Sequence, residues 1–490
     1  MRGFKNILFI TTDQQRQDSL PCYGLNFMQT PALDRLAREG IVFENCSSVS
    51  PVCQPARASF MLGQYPHVTG IPDNFRWIRP NSPTIARSFS EAGWRTAAIG
   101  KMHFHPWDAM EGFQERIIAE DKRHIFRPDH WSRFLEARGY KRDHPAEIPE
   151  YEKNLGAGVS PLPEELHIDN FIGDQAVGWI ERYSRQTLKE RKPFFTWVSF
   201  NSPHDPYDPP ERLSGLYRNA PIPEAIGSSA ELAHKPAYQR SIIPTYKQNL
   251  LFLNDYSRLD PQAIRRIREY YLATITLVDS QIARIVETLE KNDLLESTII
   301  IFTSDHGDHL GDHGLPFKST FYESALMVPL IVRCPGMPEG KRNRSAVNWL
   351  DLHATFLKLA AIPVPDHVQG KEITPLLREP ERILKTEAFS ELLGSVMIRT
   401  ETAKLVLCDD GDGELYDLTE EPLEVNNHYR NPDYRDLKEE LSRRIMHHLL
   451  AHSRVRSFGG GRYGGDKQRE ECFNNIRKKL ASGGYPGLIK

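Results

Sequence analysis

Residues 298–309 read Thr298-Ile299-Ile300-Ile301-Phe302-Thr303-Ser304-Asp305-His306-Gly307-Asp308-His309. The first six are β-branched or aromatic and predict a buried strand over 298–303. The run then breaks at once into carboxylates and imidazoles. A strand ending in ligand-type side chains is how an open α/β sheet presents a site along its C-terminal edge. The same grammar recurs upstream. Residues 6–12 are apolar and β-rich and end in Asp13-Gln14-Gln15-Arg16; residues 95–99 lead into Gly100-Lys101-Met102-His103; residues 194–200 lead into Asn201-Ser202-Pro203-His204-Asp205-Pro206. Phe317-Lys318 follows the last site-bearing strand, and residues 329–332 predict another strand.

Helices are expected between these strands. Thr30-Pro31 opens one through Leu33, Leu36 and Ala37, closed by Gly40. Residues 84–92 place Ile85 and Phe89 on one face before Gly93. Ile267, Tyr271, Ile275, Val278, Ile282, Ile285 and Leu289 recur at spacings of 3 and 4 and mark one long amphipathic helix. The alternation up to about residue 375 predicts an α/β fold, a mostly parallel sheet sandwiched by helices. Beyond it, strands over 395–399, 403–407 and 414–418, turns such as Asp409-Asp410-Gly411-Asp412-Gly413, and an amphipathic helix over 433–450 predict a smaller α+β unit with an antiparallel sheet. The expected division is thus residues 1–375 and 376–490. Residues 105–165 give no secure pattern. Residues 205–245, proline-rich and weakly periodic, read as a substrate-side lid. Residues 453–490 read as a tail against the core or a neighbouring subunit.

Composition narrows the function class. A net charge of −3 over 490 residues leaves no basic field for nucleic acid. The cysteines Cys22, Cys46, Cys53, Cys334, Cys408 and Cys472 form no C-x-x-C pair and suggest neither a disulfide framework nor a zinc site, as in a reducing compartment. No stretch approaches the roughly 20 apolar residues of a membrane helix. The apolar run Ile7-Leu8-Phe9-Ile10 is too short for a secretory h-region. The expectation is a cytoplasmic chain without membrane or nucleic-acid partners, with homo-oligomerisation left open.

The chemistry centres on Ser50-Pro51-Val52-Cys53-Gln54-Pro55-Ala56-Arg57-Ala58-Ser59. Pro55 suits the first turn of a short helix that Gly63 ends. Cys53 then lies at a helix N-terminus, where free N–H groups favour an anion, and Arg57 follows one turn on. A lone cysteine in such a turn is ordinarily a small buried hydrophobe. The pattern C-x-P-x-R raises a functional reading, because the stretch resembles the signature of type I sulfatases, whose cysteine is oxidised to formylglycine. The segments Gly100-Lys101-Met102-His103, Ser202-Pro203-His204, Thr303-Ser304-Asp305-His306-Gly307-Asp308 and Lys318 resemble that family's successive active-site segments, in order, within residues 5–375.

The resemblance implies an alkaline-phosphatase-like fold and a metal-dependent sulfatase of arylsulfatase-like type. Cys53, as formylglycine hydrate, is implied as nucleophile, with Arg57 holding the hydrate and the cation site. Asp13, Asp305, His306 and the Cys53-derived oxygen are implied as metal ligands. Lys101, Lys318 and His204 would bind the sulfate, His204 protonating the leaving oxygen and His103 deprotonating the hemiacetal. Many relatives carry Asp at Gln14 and Asn at His306; the substitutions here shift the expected cation from Ca²⁺ toward Mn²⁺, with Mg²⁺ a further option. Whether Gln14 ligates is left open. The Asp-Gln and Asp-His pattern also resembles phosphonate monoester hydrolases, which lack the Gly-Lys-x-His pair, so a phosphonate or phosphodiester hydrolase is the alternative. Gly100-Lys101-Met102-His103-Phe104 is similar to choline sulfatases. A non-enzymatic binding module with an unmodified Cys53 is the remaining rival. Expected partners are a small aryl, choline-like or carbohydrate sulfate and a formylglycine-generating enzyme. Asn74, Arg76, Trp77, His105 and Trp107 are candidates for specificity by proximity to the motifs alone.

Overall fold

A computed structural model describes residues 6–453 apart from 126, 143, 145–146, 148–149, 188–190 and 249–253. The expected tail beyond Ser453 and Cys472 lies outside the described residues.

Fourteen strands are present among the described residues: β1 (Asn6–Asp13), β2 (Ile41–Phe43), β3 (Cys46–Ser47), β4 (Arg95–Gly100), β5 (Glu115–Ile118), β6 (Phe194–Pro203), β7 (Thr298–Ser304), β8 (Leu330–Arg333), β9 (Lys341–Asn343), β10 (Val347–Asn348), β11 (Glu387–Leu392), β12 (Ser395–Thr400), β13 (Ala403–Cys408) and β14 (Gly413–Asp417). Eight form the main sheet in the order β5-β4-β6-β1-β7-β8-β2-β9. β5, β4, β6, β1 and β7 run parallel; β8 is antiparallel to both β7 and β2, and β9 is parallel to β2. The sheet is therefore mixed but mostly parallel, as expected.

The unbroken apolar strands follow from burial on both faces. Leu8 and Ile10 of β1 pack with the helices Pro31–Arg38, Ile168–Ser184 and Pro261–Lys291. Ile7 and Phe9 point the other way, onto the helices Cys53–Leu62, Ile85–Glu91 and Asp351–Leu359. On that face Phe9 lies 4.9 Å from Phe60, 5.3 Å from Trp197 and 5.0 Å from Phe356, ring to ring. Such aromatic pairs add about 0.5–1.5 kcal/mol each beyond burial, and here they pin the Cys53 helix to the sheet. The buried tryptophans keep their polar handles satisfied: Trp197 Nε1 donates to Thr11 Oγ1 at 2.8 Å, and Trp349 Nε1 to Thr303 Oγ1 at 3.3 Å.

The smaller sheet, β11-β12-β13-β14, is wholly antiparallel, and the helix Arg435–His452 packs on it. Its topology is separate but its packing is not. Phe389, Ile398, Leu405, Leu415, Leu441 and Ile445 belong to the same apolar cluster as Ile7 and Phe9.

Several elements escaped the sequence reading. The helix Ile168–Ser184 was not expected, and β5 lay inside the unassigned stretch. Residues 205–245 are not one structureless loop. They carry the 3₁₀ helices Glu211–Leu213 and Ser229–His234 and the short α-helix Ala237–Arg240, and Tyr207, Leu213 and Tyr217 are anchored in the main core. No helix among the described residues is long and apolar enough to cross a membrane. The cysteines described, Cys22, Cys46, Cys53, Cys334 and Cys408, are free.

Candidate active site

The ends of four adjacent parallel strands deliver the side chains expected there: Lys101 after β4, His204 after β6, Asp13 at the end of β1, and Asp305 and His306 after β7. The turn after β4 depends on glycine. Gly100 sits at φ +98°, and a Cβ there would lie 2.0 Å from Ser199 O of β6. The helix Cys53–Leu62 begins at Cys53 itself, with Pro55 in its first turn as expected, and Gly63 caps it in the left-handed conformation.

Cys53 Sγ lies 3.1 Å from Lys318 Nζ, 3.1 Å from His306 Nε2 and 3.7 Å from Asp13 Oδ1. One ligand atom from each of Asp13, Cys53, Asp305 and His306 falls within 4.8 Å of the others, and all four residues are buried. Two carboxylates, an imidazole and the Cys53 sulfur thus gather where a divalent cation could be held.

Arg57 is fully buried and balances this negative charge. Its Nε donates to Asp305 Oδ2 at 2.8 Å and its Nη2 to Asp13 Oδ2 at 3.2 Å, while Nη1 reaches Lys101 O and Ser199 Oγ. Lys101 Nζ sits 3.0 Å from Asp13 Oδ2 and 3.5 Å from Asp121 Oδ2. Gln14, at φ +70°, sits beside the cluster: its Oε1 accepts from Lys318 Nζ at 2.5 Å, and its Nε2 donates to Asp308 Oδ2 at 2.6 Å. Its backbone N–H donates to Asp305 Oδ1 at 3.1 Å.

The charges act on one another strongly. Burial pushes Asp13 up, but Lys101, His204, Arg57 and Lys318 together hold it well below the usual carboxylate range. Burial and Asp13 push the Cys53 thiol up; Lys318, His306 and His204 pull harder, and it ends well below its ordinary value. The position thus favours an anion. Burial, with Lys101, Lys318 and Arg123 nearby, pulls His204 down to about 3. Its Nδ1 lies 2.8 Å from Asp205 O and its Nε2 3.4 Å from Arg123 Nη2, as suits a neutral ring donating through Nδ1. Burial and Lys101 likewise pull His103 to about 4. His103, at φ +59°, makes no side-chain hydrogen bond to the cluster, and its buried Nδ1 is without a hydrogen-bond partner.

Two groups were missed by the sequence reading. Arg123 binds Asp121 (Nη2 to Oδ2, 2.7 Å) and Asp205 (Nη1 to Oδ2, 3.1 Å) and faces His204. Asp308 takes hydrogen bonds from Gln14 and from Tyr207 OH at 2.7 Å, behind Lys318. Glu120-Asp121-Lys122-Arg123 is four successive charges, a pattern that ordinarily marks a solvated surface; here all four are buried, with Asp121, Lys122 and Arg123 paired to Lys101, Asp208 and Asp205.

The specificity candidates divide. Asn74 Oδ1 accepts from Gln54 N at 2.9 Å, next to Cys53 in the chain. Trp77 is a loop anchor, its Nε1 on Glu111 Oε1 and its ring 5.0 Å from Phe104. Trp107 O accepts from Arg116 Nη1, while Arg76 and His105 are exposed.

The chain matches the family model described as Sulfatase over residues 5–362, and the one described as N-sulphoglucosamine sulphohydrolase, C-terminal, over residues 311–450. It is 32% identical over 446 residues to a choline-sulfatase of Rhizobium meliloti, covering 88% of this chain and 83% of the relative. It is 28% identical over 468 residues to an arylsulfatase of Clostridium perfringens, covering 91% and 94%. The phosphonate monoester hydrolase of Agrobacterium radiobacter superposes with a TM-score of 0.80 at 23% identity, over 91% of this chain and 96% of that one. That likeness speaks for the fold and bears out the alkaline-phosphatase-like architecture. With a family model spanning most of its length and curated relatives matching it nearly end to end, the chain belongs to the sulfatase family and is a sulfuric ester hydrolase by class.

Proposed function

We propose that this chain hydrolyses a small sulfate monoester to an alcohol and inorganic sulfate, using a formylglycine made from Cys53. One observation carries the reading. The Cys53 side chain stands at a helix N-terminus, 3.1 Å from both Lys318 Nζ and His306 Nε2. Its Sγ marks where a hydrate oxygen would sit, in a setting that stabilises an anion.

Asp13, Asp305, His306 and the Cys53-derived oxygen would hold one divalent cation, Mn²⁺ or Ca²⁺. Bound there, it supplies Lewis acidity to the sulfuryl oxygens and the nucleophile. Gln14, engaged with Lys318 and Asp308, orients the lysine.

The chain's residues do the rest. Lys101 and Lys318 face the sulfuryl oxygens, where charge is held in the transition state. One hydroxyl of the hydrate gives up its proton to solvent as its oxygen attacks sulfur, and the ester S–O bond breaks. His204 is neutral in the free site, so its Nε2 takes up a proton only as the anionic substrate enters, then gives it to the departing alkoxide. Asp205 O fixes the ring through Nδ1. His103, neutral and with a free Nδ1, accepts the proton of the second hydroxyl. The aldehyde C=O then reforms and its bond to the sulfate oxygen breaks, and water restores the hydrate.

The aryl and choline sulfates that name the relatives set the substrate classes to try first. A formylglycine-generating enzyme is the maturation partner. The catalytic unit is taken as residues 1–375, with 376–490 accessory to it. The Asp13-Gln14 and Asp305-His306 pattern favours one second reading, a phosphonate monoester or phosphodiester hydrolase; Lys101 and His103 weigh against it.

Conversion of Cys53 to the aldehyde lowers the mass of its peptide by about 18 Da. Cys53→Ala should retain the fold and abolish turnover, since it removes the nucleophile and little packing. Sulfatase activity equal to wild type in that variant would exclude the role.

A further inference from the structure

Away from the strand ends, three side chains distant in sequence meet where the C-terminal unit packs on the rest of the chain. His67 lies on the short helix Pro66–Thr69, just beyond the helix that Cys53 begins; Glu391 lies in β11; His448 lies on the helix Arg435–His452. His67 Nδ1 is 2.7 Å from Glu391 Oε1, His448 Nε2 is 3.5 Å from the same oxygen, and one ligand atom from each lies within 4.8 Å of the others. The His67 backbone N–H donates to Glu391 Oε2 at 2.8 Å, which fixes the carboxylate.

The second histidine is held and yet unsatisfied. Its ring stacks on Phe389 at 3.8 Å and meets the edge of Tyr65 at 4.5 Å, so its rotamer is fixed. Its Nε2 is buried, aims at Glu391 and makes no hydrogen bond of ordinary geometry. A buried nitrogen left so is costly unless something else binds it.

We propose that His67, Glu391 and His448 form a second metal site, for a Zn²⁺-type divalent transition ion. Two imidazoles and one carboxylate are a borderline donor set that suits such an ion better than Ca²⁺ or Mg²⁺. Tetrahedral bonds of about 2.1 Å separate ligand atoms by about 3.4 Å. The His448–Glu391 spacing already fits. The His67–Glu391 spacing must open by several tenths of an ångström, which the partly exposed His67 side chain allows. The His67 side faces solvent and leaves a fourth position for water. The ion would clip the segment following the Cys53 helix to β11 and to the C-terminal helix, and so act on stability rather than on chemistry.

The test uses the full chain, stripped with a chelator, dialysed against Zn²⁺ at neutral pH and analysed for metal per chain. Wild type should hold one more ion than His67→Ala and than His448→Gln, the latter a conservative change that keeps the ring slot filled. Near 100 times the Kd, Zn²⁺ should raise the wild-type Tm by about 2–4 °C, and the two variants should lack that part of the rise. Metal content and Tm response equal to wild type in either variant would overturn the proposal. Because neither residue touches the Asp13 cluster, the result is independent of the reaction assigned to Cys53.

Discussion

Lys101 carries three relations at once: it pairs with Asp13 at 3.0 Å, it faces Asp121 at 3.5 Å, and its carbonyl receives Arg57 Nη1. In the proposed reaction its ammonium also faces the substrate, and a sulfate ester and a phosphonate ester use that charge differently. Lys101→Ala should lower kcat/KM on an aryl sulfate by about 10²-fold or more, the scale for one preorganised charge-stabilising donor, and cost less on a phosphonate ester. Equal losses on the two substrates, from parallel steady-state assays, would remove that distinction. At this scale the sequence was most informative where a motif fixes residue types at strict spacing, as in Cys53-Gln54-Pro55-Ala56-Arg57 and Gly100-Lys101-Met102-His103. It was silent on Asp121 and Arg123. Their partners Lys101, Asp205 and His204 are distant in the chain, and pairing across that distance leaves no periodic trace.

Elements place these residues, and their junctions are charged as well as apolar. Asp312, in the loop after β7, accepts from Arg16 Nη1 and Arg268 Nη2, each at 2.6 Å, tying the end of β1 to the helix Pro261–Lys291. Burial pushes Asp312 up, but Arg16 and Arg268 pull it down to about 2 from the ordinary 3.8. Arg268 is itself pulled down by burial, yet an arginine stays cationic at these pH values. A depressed carboxylate contributes stability that is complete above its unfolded pKa and is lost as pH falls through the folded one. The contribution, about 2 kcal/mol, should therefore be present at neutral pH and disappear between about pH 4 and pH 2. Denaturant unfolding of wild type and Asp312→Asn should show a gap of at least that size at pH 7, closing near pH 2. A gap independent of pH would mean that the pair is not the cause. Strands buried on both faces, such as β1 and β7, were legible as unbroken apolar runs. β5 and β9 are three or four residues long and rich in charge, and β11 mixes Glu387, Ser390 and Glu391 with its apolar residues, so no period-2 signal rises above the background.

Over the whole molecule, the antiparallel character of the C-terminal sheet β11–β14 was legible as a change of grammar from the mixed α/β pattern before it. That the two parts share one apolar cluster was not, because burial across a junction is invisible to local periodicity. The shared core predicts one cooperative transition. Leu441→Ala, a fully buried truncation on the C-terminal helix, should cost about 2–5 kcal/mol. Loss of activity and loss of helix signal should then move together on heating; a C-terminal transition separate from the loss of activity would show two independent cores. The central claim is that this site, with Cys53 converted, transfers a sulfuryl group. It is tested most directly by the ratio of kcat/KM for an aryl sulfate to that for a phenyl phosphonate ester, measured on one preparation whose Cys53 peptide carries the aldehyde. The account predicts a ratio above one that falls when Lys101 is removed. A wild-type ratio below one would contradict it and make the phosphonate reading the better description of the site.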